Sequence, residues 1–228
     1  MLSSTPELWQ SVWLTLRLAF LTTIALFVIG IPLAHWLNVS RWRGVLLVET
    51  IVTLPIVLPP TVIGFYLLVL FAPQNPLGTL WIQLTGHPLA FSFSGLVVGS
   101  IIYSLPFAVQ PFQAALKAVP PTLIEVARIS GANFLQVFWY VTLPLARRGI
   151  GAGIALSFAH TIGEFGVVLM LGGSIPGVTR VASIALYDEV QKLNYPAAHA
   201  IALVLLGISF LLILVIVTLQ RRAPTDAL

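Results

Sequence analysis

The sequence predicts an all-α integral membrane protein with about five transmembrane helices. Of its 228 residues, 58% are hydrophobic and only 8% are charged, and its mean hydropathy is +1.02. Soluble domains carry roughly 25% charged residues. A helix needs ~20 apolar residues to cross ~30 Å of hydrocarbon, and five stretches of this single transmembrane domain, residues 1–228, are long enough. They are residues 12–37, 45–72, 89–116, 150–171 and 197–219.

Lysine and arginine are distributed unequally between the connections, and this predicts the orientation. The connection at 71–88 contains no Lys or Arg. Other connections are basic through Arg41, Arg43, Lys117, Arg128, Arg147, Arg148, Arg221 and Arg222. The positive-inside rule places basic loops in the cytoplasm. We therefore expect the N-terminus outside and the C-terminus in the cytoplasm. The net charge of +4 then reflects topology and not a nucleic-acid partner.

Prolines interrupt the second and third stretches. Pro55, Pro59 and Pro60 lie within the second, and Pro106 and Pro111 lie within the third. A proline removes a backbone donor and kinks a helix, which membrane proteins tolerate where protein or a water-filled cavity covers the freed carbonyl groups. We therefore expect both spans to lie in the interior of the bundle, near a pathway. A simple packing kink explains any single proline equally well.

The fourth stretch combines a row of small residues with an acidic side chain. Gly151, Ala155, Ala159 and Gly163 recur every fourth residue, so they share a helical face and permit close helix approach. This small-residue row could serve packing within the subunit or the seam between two copies, and we favour the seam or the pathway lining. Glu164 follows it, more than halfway across, where an ionisable group usually faces a cavity or a partner. The fifth stretch, mainly Leu, Ile and Val, is expected to face lipid.

A polar segment at residues 120–146 separates the third and fourth stretches. Thr122 and Glu125 have the spacing of a capping box, which predicts a short helix that starts near residue 123. Gly131 can end that helix in the left-handed conformation. A second short amphipathic helix follows and is closed by Pro144. Two short helices at a membrane surface suit docking to a partner, and the alternative is a loop that merely links two spans. DNA binding is disfavoured because the second helix is aromatic and not basic.

Catalytic chemistry finds little support in the sequence. Four scattered histidines lack metal-ligand spacing, so no metal site is expected. No phosphate-binding Gly-x-x-x-x-Gly-Lys-Ser/Thr motif occurs, and His160 with Glu164 is too small a set for a membrane enzyme. We therefore expect no enzymatic activity. A stand-alone channel or secondary transporter would fit the interrupted spans but would leave the polar segment unexplained.

The polar segment resembles the cytoplasmic signature of ABC-importer permeases, which is Glu-Ala-Ala, three residues, Gly, nine residues and Ile-x-Leu-Pro. Glu125 and Ala127 precede Gly131 at the matching spacing, and Leu143 and Pro144 close the pattern. In that family the segment docks on the ATP-hydrolysing subunit. The resemblance implies docking by the residues at and around the signature. These are Thr122, Glu125, Ala127, Arg128, Gly131, Ala132, Leu143 and Pro144.

Further motifs resemble the molybdate permeases within this family. They are Leu-Pro-Ile-Val-Leu-Pro-Pro from residue 54, Gly-Glu-Phe-Gly from residue 163 and Ser-Ile-Pro-Gly-Val-Thr-Arg, which ends at Arg180. Sulfate permeases share some of these elements. Tungstate permeases are a nearer alternative, because the two oxyanions have the same shape and charge.

The resemblance implies a type I importer permease in the cytoplasmic membrane of a bacterium or archaeon. Two copies would form one pathway in the lipid, and two ATPase subunits would dock below and bind ATP and Mg, so this chain itself would bind no cofactor. A periplasmic or extracellular binding protein would deliver the oxyanion from outside. Arg180 is the candidate residue on that outer face, and Pro55, Pro59, Pro60 and Glu164 are the candidates along the pathway.

Overall fold

The computed structural model describes residues 5–221, and all regular elements in this range are helices. Arg222, one of the basic residues used to predict the orientation, lies outside the described residues. The α-helices are α1 (Thr5–Val39), α2 (Val45–Thr53), α3 (Pro60–Leu70), α4 (Pro76–Thr85), α5 (Phe93–Lys117), α6 (Pro121–Ile129), α7 (Phe134–Val137), α8 (Leu143–Gly163), α9 (Gly166–Gly172), α10 (Ala182–Gln191) and α11 (Tyr195–Arg221).

Three of these helices, α1, α5 and α11, are each long and apolar enough to cross a membrane. Two further crossings are possible as broken pairs, α2 with α3, bent by 112°, and the helical run that ends with α8 together with α9, bent by 58°. The described part of the chain thus has three to five candidate spans. This all-helical architecture confirms the predicted fold class.

The two breaks have different origins. Pro55 is the second residue of a 3₁₀ turn at Leu54–Ile56 after α2, and Pro59 precedes α3 in an extended conformation with ψ 133°. Proline has no backbone N–H group and cannot continue the helical hydrogen bonds, so the three prolines of the second stretch predicted this break. The second break, at Glu164, has a ψ of 132° and contains no proline.

Helix α5 is continuous past Pro106 and Pro111, so the prediction that they interrupt the third span was wrong. Tight packing around a span can compensate for a missing donor.

The core consists of two stacked layers that the long helices share. The first layer contains Leu14 and Leu18 from the N-terminal half of α1, Leu96 near the start of α5, and residues of α3 and α9. The second layer contains Leu37 from the end of α1, Leu116 from the end of α5, and residues of α2 and α8. Helices α1 and α5 are therefore parallel, and α2 and α3 belong to different layers.

Helices α4 and α10 lie in connections that the sequence analysis left without structure. Each is ten residues long, which is too short for a crossing. Helix α10 packs Ala182 and Ala185 against Val12 of α1 and Ile201 of α11. The N-terminal ends of α1 and α11 therefore meet at one end of the bundle. Residues 120–146 contribute the buried Ala146 and the partly buried Ile124, Phe138 and Leu143 to the second layer at the opposite end.

Candidate functional site

The polar segment begins with α6, and its start differs from the prediction. Pro120 precedes the helix, Pro121 is its first residue and Thr122 is its second, with no side-chain cap bond. The predicted Thr122–Glu125 capping box was therefore wrong. Proline is favoured at the first helical position because its fixed φ suits the helix and its missing N–H would have no helical partner there. The proline pair, and not the threonine, sets the start.

Gly131 ends this part of the segment as predicted. Its φ is +89°, in the left-handed region that favours glycine. The N–H of Gly131 donates to Arg128 O and the N–H of Ala132 donates to Ala127 O, both at 3.0 Å, so the last turn of α6 is closed by backbone bonds. A Cβ at Gly131 would meet no atom within 4 Å. Conformation, and not space, therefore requires glycine here.

A capping box is present instead at residues 133–136, where the sequence analysis named none. Asn133 Oδ1 accepts from Gln136 N at 2.9 Å, and Gln136 Oε1 accepts from Asn133 N at 2.8 Å. The Asn-x-x-Gln spacing was the available signal. The chain then passes through a π-helical turn at Phe138–Thr142 directly into α8. Pro144 does not close a helix, so that prediction was wrong. The wider π turn lies just before the proline and accommodates its ring without a break.

One face of the segment is anchored and the other is free. Val137 is 4% exposed. The ring of His35 on α1 lies 5.4 Å from that of Phe134 and 4.8 Å from that of Phe138, measured between centroids. Large side chains point away from the bundle, with Ile129 87% exposed and Tyr140 79% exposed. Exposed apolar side chains on an anchored segment mark an interaction surface. We call residues 120–146, for which the sequence resemblance implies docking on an ATP-hydrolysing subunit, the coupling segment.

The signature residues lie on this surface to different degrees. Thr122, Glu125, Arg128, Gly131 and Pro144 are exposed. Ala127, Ala132 and Leu143 are half-buried. A cleft of about 340 Å³ runs beside Gly131 and is lined also by Ser130, Ala132, Gln136, Tyr140 and Val141. The segment can therefore offer a partner both protruding side chains and a recess.

In the first core layer, at the end of the bundle opposite the coupling segment, the two broken spans meet. A Cβ at Gly166 would lie 2.6 Å from the Cβ of Pro60 and 3.2 Å from the backbone nitrogen of Thr61. A Cβ at Gly64 would lie 2.7 Å from the Cβ of Met170. The two glycines therefore permit α3 and α9 to cross in backbone contact. Of the three predicted prolines, Pro55 is buried, Pro60 lies at this crossing, and Pro59 is exposed at the break.

A cavity of about 460 Å³ adjoins this crossing. It is lined by Pro60, Thr61, Tyr103, Ala159, His160, Gly163, Glu164, Phe165 and Gly166. Glu164 is 4% exposed, and neither of its carboxyl oxygens has a hydrogen-bond partner. The predicted acidic residue therefore faces a cavity, and no Lys or Arg among residues 5–221 is paired with it. His160 is held by its ring, which stacks on Phe107 at 3.7 Å, and by a 2.9 Å contact between Nδ1 and Ser104 Oγ.

The small-residue row on α8 is not fully covered by other described residues of the chain. Gly151, Ala155 and Ala159 are half-exposed and Gly163 is exposed. A Cβ at Gly151 or at Gly163 would meet no atom within 4 Å. Ala159 and Gly163 also line the cavity beside Glu164. The row is therefore open to a partner or to the pathway.

Arg180 is neutralised by carboxylates of the same chain. Its Nε lies 3.0 Å from Asp188 Oδ2, its Nη2 lies 3.3 Å from Glu189 Oε1, and Glu7 Oε2 is 3.9 Å from its Nη1. Its side chain is only 12% exposed. These pairs tie the loop before α10 to α10 itself and to the start of α1.

The same ionic cluster lowers the pKa of the Glu189 carboxyl. Burial alone would raise the pKa of Glu189, but hydrogen bonds from Lys192 and Asn194 and the charges of Lys192 and Arg180 outweigh it. The pKa of this carboxyl therefore lies below its ordinary value. Lys192 Nζ donates to Oε1 at 3.0 Å and Asn194 Nδ2 donates to Oε2 at 2.6 Å.

Comparison with known families and sequences gives consistent matches. The family described as binding-protein-dependent transport system inner membrane component matches residues 26–223. The molybdenum transport system permease protein ModB of Azotobacter vinelandii is 46% identical over 91% of this chain and 92% of its own length. The ModB of Escherichia coli K12 is 36% identical over 84% and 83%. The sulfate transport system permease protein CysT of Escherichia coli K12 is 35% identical over 95% and 78%.

Solved structures agree on the fold. A chain of the MetNI methionine ABC transporter, in an inward-facing conformation, superposes with a TM-score of 0.74 at 20% identity and covers 96% of this chain and 98% of its own. A chain of a bacterial alginate ABC transporter in complex with its periplasmic protein gives 0.79 at 20% identity, over 100% and 83%. At this identity the likeness shows the fold alone, which is that of the type I importer permeases.

Proposed function

We propose, on the premise that this chain belongs to the binding-protein-dependent transport system inner membrane component family and is the permease subunit of an ABC importer, that it imports molybdate. The observation that carries the substrate is the 46% identity to a molybdenum permease over nearly the whole chain. Sulfate is the second candidate, because a sulfate permease is 35% identical over 95% of the chain. Tungstate remains an alternative because it shares the shape and charge of molybdate.

A second copy of the chain is proposed to complete the pathway. The small-residue row on α8 supports this, since Gly151 and Gly163 have no neighbour within 4 Å where a Cβ would stand. Small residues permit close approach of helix backbones in a membrane. Most of α11 is exposed in contrast, which suits contact with lipid.

The coupling segment is proposed to dock on a cytoplasmic ATPase, one for each copy. The exposed Ile129 and Tyr140 would contact the partner, while Val137 and the rings around His35 hold the segment to the bundle. ATP and Mg would bind to the ATPase, because the relatives of this chain are transport subunits and not enzymes. Closure of the ATPase pair would draw the two coupling segments together and open the pathway outward, and hydrolysis would reverse this.

A binding protein is proposed to deliver the oxyanion at the opposite end of the bundle. Arg180 is proposed to shape that outer end, where its ion pairs hold the loop before α10 in place. Selectivity then belongs mainly to the binding protein, because no Lys or Arg lines the cavity beside Glu164 in the described residues.

The test is reconstitution of the chain in proteoliposomes with its cognate ATPase and binding protein. We expect ATP-dependent uptake of radiolabelled molybdate that unlabelled tungstate inhibits and that a hundredfold excess of sulfate leaves largely unchanged. Uptake of sulfate with no uptake of molybdate would reassign the substrate. Uptake without ATP would contradict the importer mechanism.

A further inference from the structure

Two hydrogen bonds at one residue of the second core layer join helices α1, α2 and α5. Gln113 lies in α5 between Phe112 and Leu116 and is 7% exposed. Its backbone carbonyl accepts from Nδ2 of Asn38 on α1 at 3.1 Å. Its side-chain Nε2 donates to Oε1 of Glu49 on α2 at 3.2 Å. Gln113 therefore connects α5 to both neighbouring helices, and we call these two hydrogen bonds the Gln113 bridge.

The Gln113 bridge differs in kind from the apolar contacts around it. Side chains such as Leu37, Val52 and Leu116 attract one another without a required direction, so helices held by them can slide slightly past each other. A hydrogen bond has a preferred length and angle, and it is stronger in surroundings of low dielectric constant. The bridge therefore fixes the positions of α1, α2 and α5 relative to one another.

One side of the bridge lies next to the coupling segment. Helix α5 ends at Lys117, one turn after Gln113, and the coupling segment begins at residue 120. On α1, Asn38 lies one turn after His35, whose ring packs against two phenylalanine rings of the coupling segment. A displacement of the coupling segment is therefore passed to α5 through the backbone and to α1 through the histidine ring.

The other side of the bridge leads towards the crossing of the broken spans. Glu49 lies in α2, which continues through the 3₁₀ turn at Leu54–Ile56 towards α3. Helix α3 crosses α9 in backbone contact at Gly64 and Gly166, beside the cavity of about 460 Å³. A shift of α5 that is transmitted to α2 can therefore change the angle between α2 and α3 and, with it, the shape of this cavity.

We propose that Gln113 is a positioning residue for transport, which transmits movement of the coupling segment to the broken second span through its bond to Glu49. The inference rests on the proposed docking of the coupling segment on an ATPase, and it adds a route by which the movement reaches the pathway. In this role Gln113 contacts neither the ATPase nor the oxyanion. Loss of the bond should therefore leave ATP hydrolysis in place while fewer oxyanions cross for each ATP.

The test measures oxyanion uptake per ATP hydrolysed in proteoliposomes that contain the permease, its ATPase and its binding protein. Gln113→Leu removes the donor with little change in volume, so this ratio should fall at least about threefold while stimulated ATP hydrolysis persists. Glu49→Leu removes the acceptor of the same bond and should have the same effect. An unchanged ratio in both variants would contradict the proposal.

Conservative and double variants separate the bond from general stability. Glu49→Gln keeps an acceptor oxygen and should retain the wild-type ratio. Glu49→Leu combined with Gln113→Leu should lower the ratio no further than either single change, because one bond can be lost only once. Additive losses, or a loss in Glu49→Gln as large as in Glu49→Leu, would contradict the bridge. Thr50→Val is the matched control and should keep the wild-type ratio, because Thr50 is exposed on the same helix and its hydroxyl donates to Leu46 O within α2 at 2.7 Å.

The outcomes also separate this inference from the proposed function. If the wild type takes up neither molybdate, tungstate nor sulfate, the import function fails and the role of the bridge fails with it. If the wild type transports but both leucine variants keep its ratio, only the role of the bridge is wrong. If Gln113→Leu fails to assemble with the ATPase, Glu49→Leu, at a half-buried position, decides alone. Uptake and hydrolysis that fall in proportion, together with a lower melting temperature, would overturn the proposal and assign Gln113 a purely structural role.

Discussion

At the scale of single residues, glycines determine how closely the two broken spans cross, because a glycine has no side chain to hold the backbones apart. Gly166 lies against the ring and backbone of Pro60, neither of which can move as a flexible side chain would. We expect Gly166→Ala to destabilise the protein by about 1–3 kcal/mol, because the added methyl group overpacks the crossing. The melting temperature of the purified protein measures this. Gly207→Ala on α11 is the matched control, since its Cβ would meet no atom within 4 Å. Equal melting temperatures for the two variants would contradict the crossing.

Glu189 gives a second prediction at this scale, in the pH dependence of stability. Its pKa is lowered in the folded protein, so its stabilising contribution is complete above the unfolded value of about 4.3 and disappears as the pH falls through the lower folded value. Glu189→Gln should therefore melt at a lower temperature than the wild type at pH 7. The difference should narrow only below a pH of about 4. A difference that is unchanged at pH 3 would show that the charge of Glu189 is irrelevant.

The sequence was sufficient for some residues and not for others. Gly131 could be predicted, because a glycine after a short amphipathic stretch has one common use. Thr122 was assigned the wrong role because the Thr-x-x-Glu spacing is local, while the position of Pro121 at the first turn decided where the helix starts. The partners of Arg180 could not be predicted. Glu7 reaches it from a distant part of the chain, and nothing in the local sequence records that contact.

At the scale of elements, the proline run predicted one break and no proline marked the other. Glu164 and Phe165 leave the helical conformation between two glycines, where weak helix propensity combines with packing against Pro60. Helices α4 and α10 are too short to give a hydropathy signal. The spacing of its residues predicted short helices in residues 120–146, but it did not predict the π-helical turn, because such turns have no simple periodicity.

The small-residue row on α8 gives the prediction at this scale. Ala159→Leu adds volume to a face that is proposed to meet a second copy or to line the pathway. We expect loss of the dimer or loss of oxyanion uptake. Leu211→Ala on α11, where the side chain is 61% exposed, should have a much milder effect. Cross-linking in membranes and uptake in proteoliposomes measure the two properties. Full activity in both variants would contradict the proposal that the small-residue row meets a second copy or lines the pathway.

At the scale of the whole molecule, α1, α5 and α11 begin at one end of the bundle and the coupling segment lies at the other. The distribution of Lys and Arg predicts that the coupling segment faces the cytoplasm. Because the chain contains no cysteine, single cysteines can be labelled without background. In intact cells an impermeant thiol reagent should label cysteines at Gln74 and Gln191 and should not label one at Ser130. Labelling at position 130 would reverse the orientation.

The central claim is that the coupling segment transmits ATP hydrolysis to the pathway, and one substitution tests it most directly. Gly131→Val places a β-branched residue at φ +89°, which costs about 1–3 kcal/mol, at a position where a Cβ would meet no atom within 4 Å. A penalty of ~1.4 kcal/mol at the docking surface weakens the contact tenfold. Gly207→Val, the same change in a helical position with open space, is the control.

The measurement is binding-protein-stimulated ATPase activity of the reconstituted complex, with oxyanion uptake followed in parallel. We expect Gly131→Val to insert into the membrane and to dimerise, but to lose both stimulated hydrolysis and uptake, while Gly207→Val retains both. Full stimulated ATPase activity and full uptake in Gly131→Val would contradict the account and show that residues 120–146 are not the coupling element.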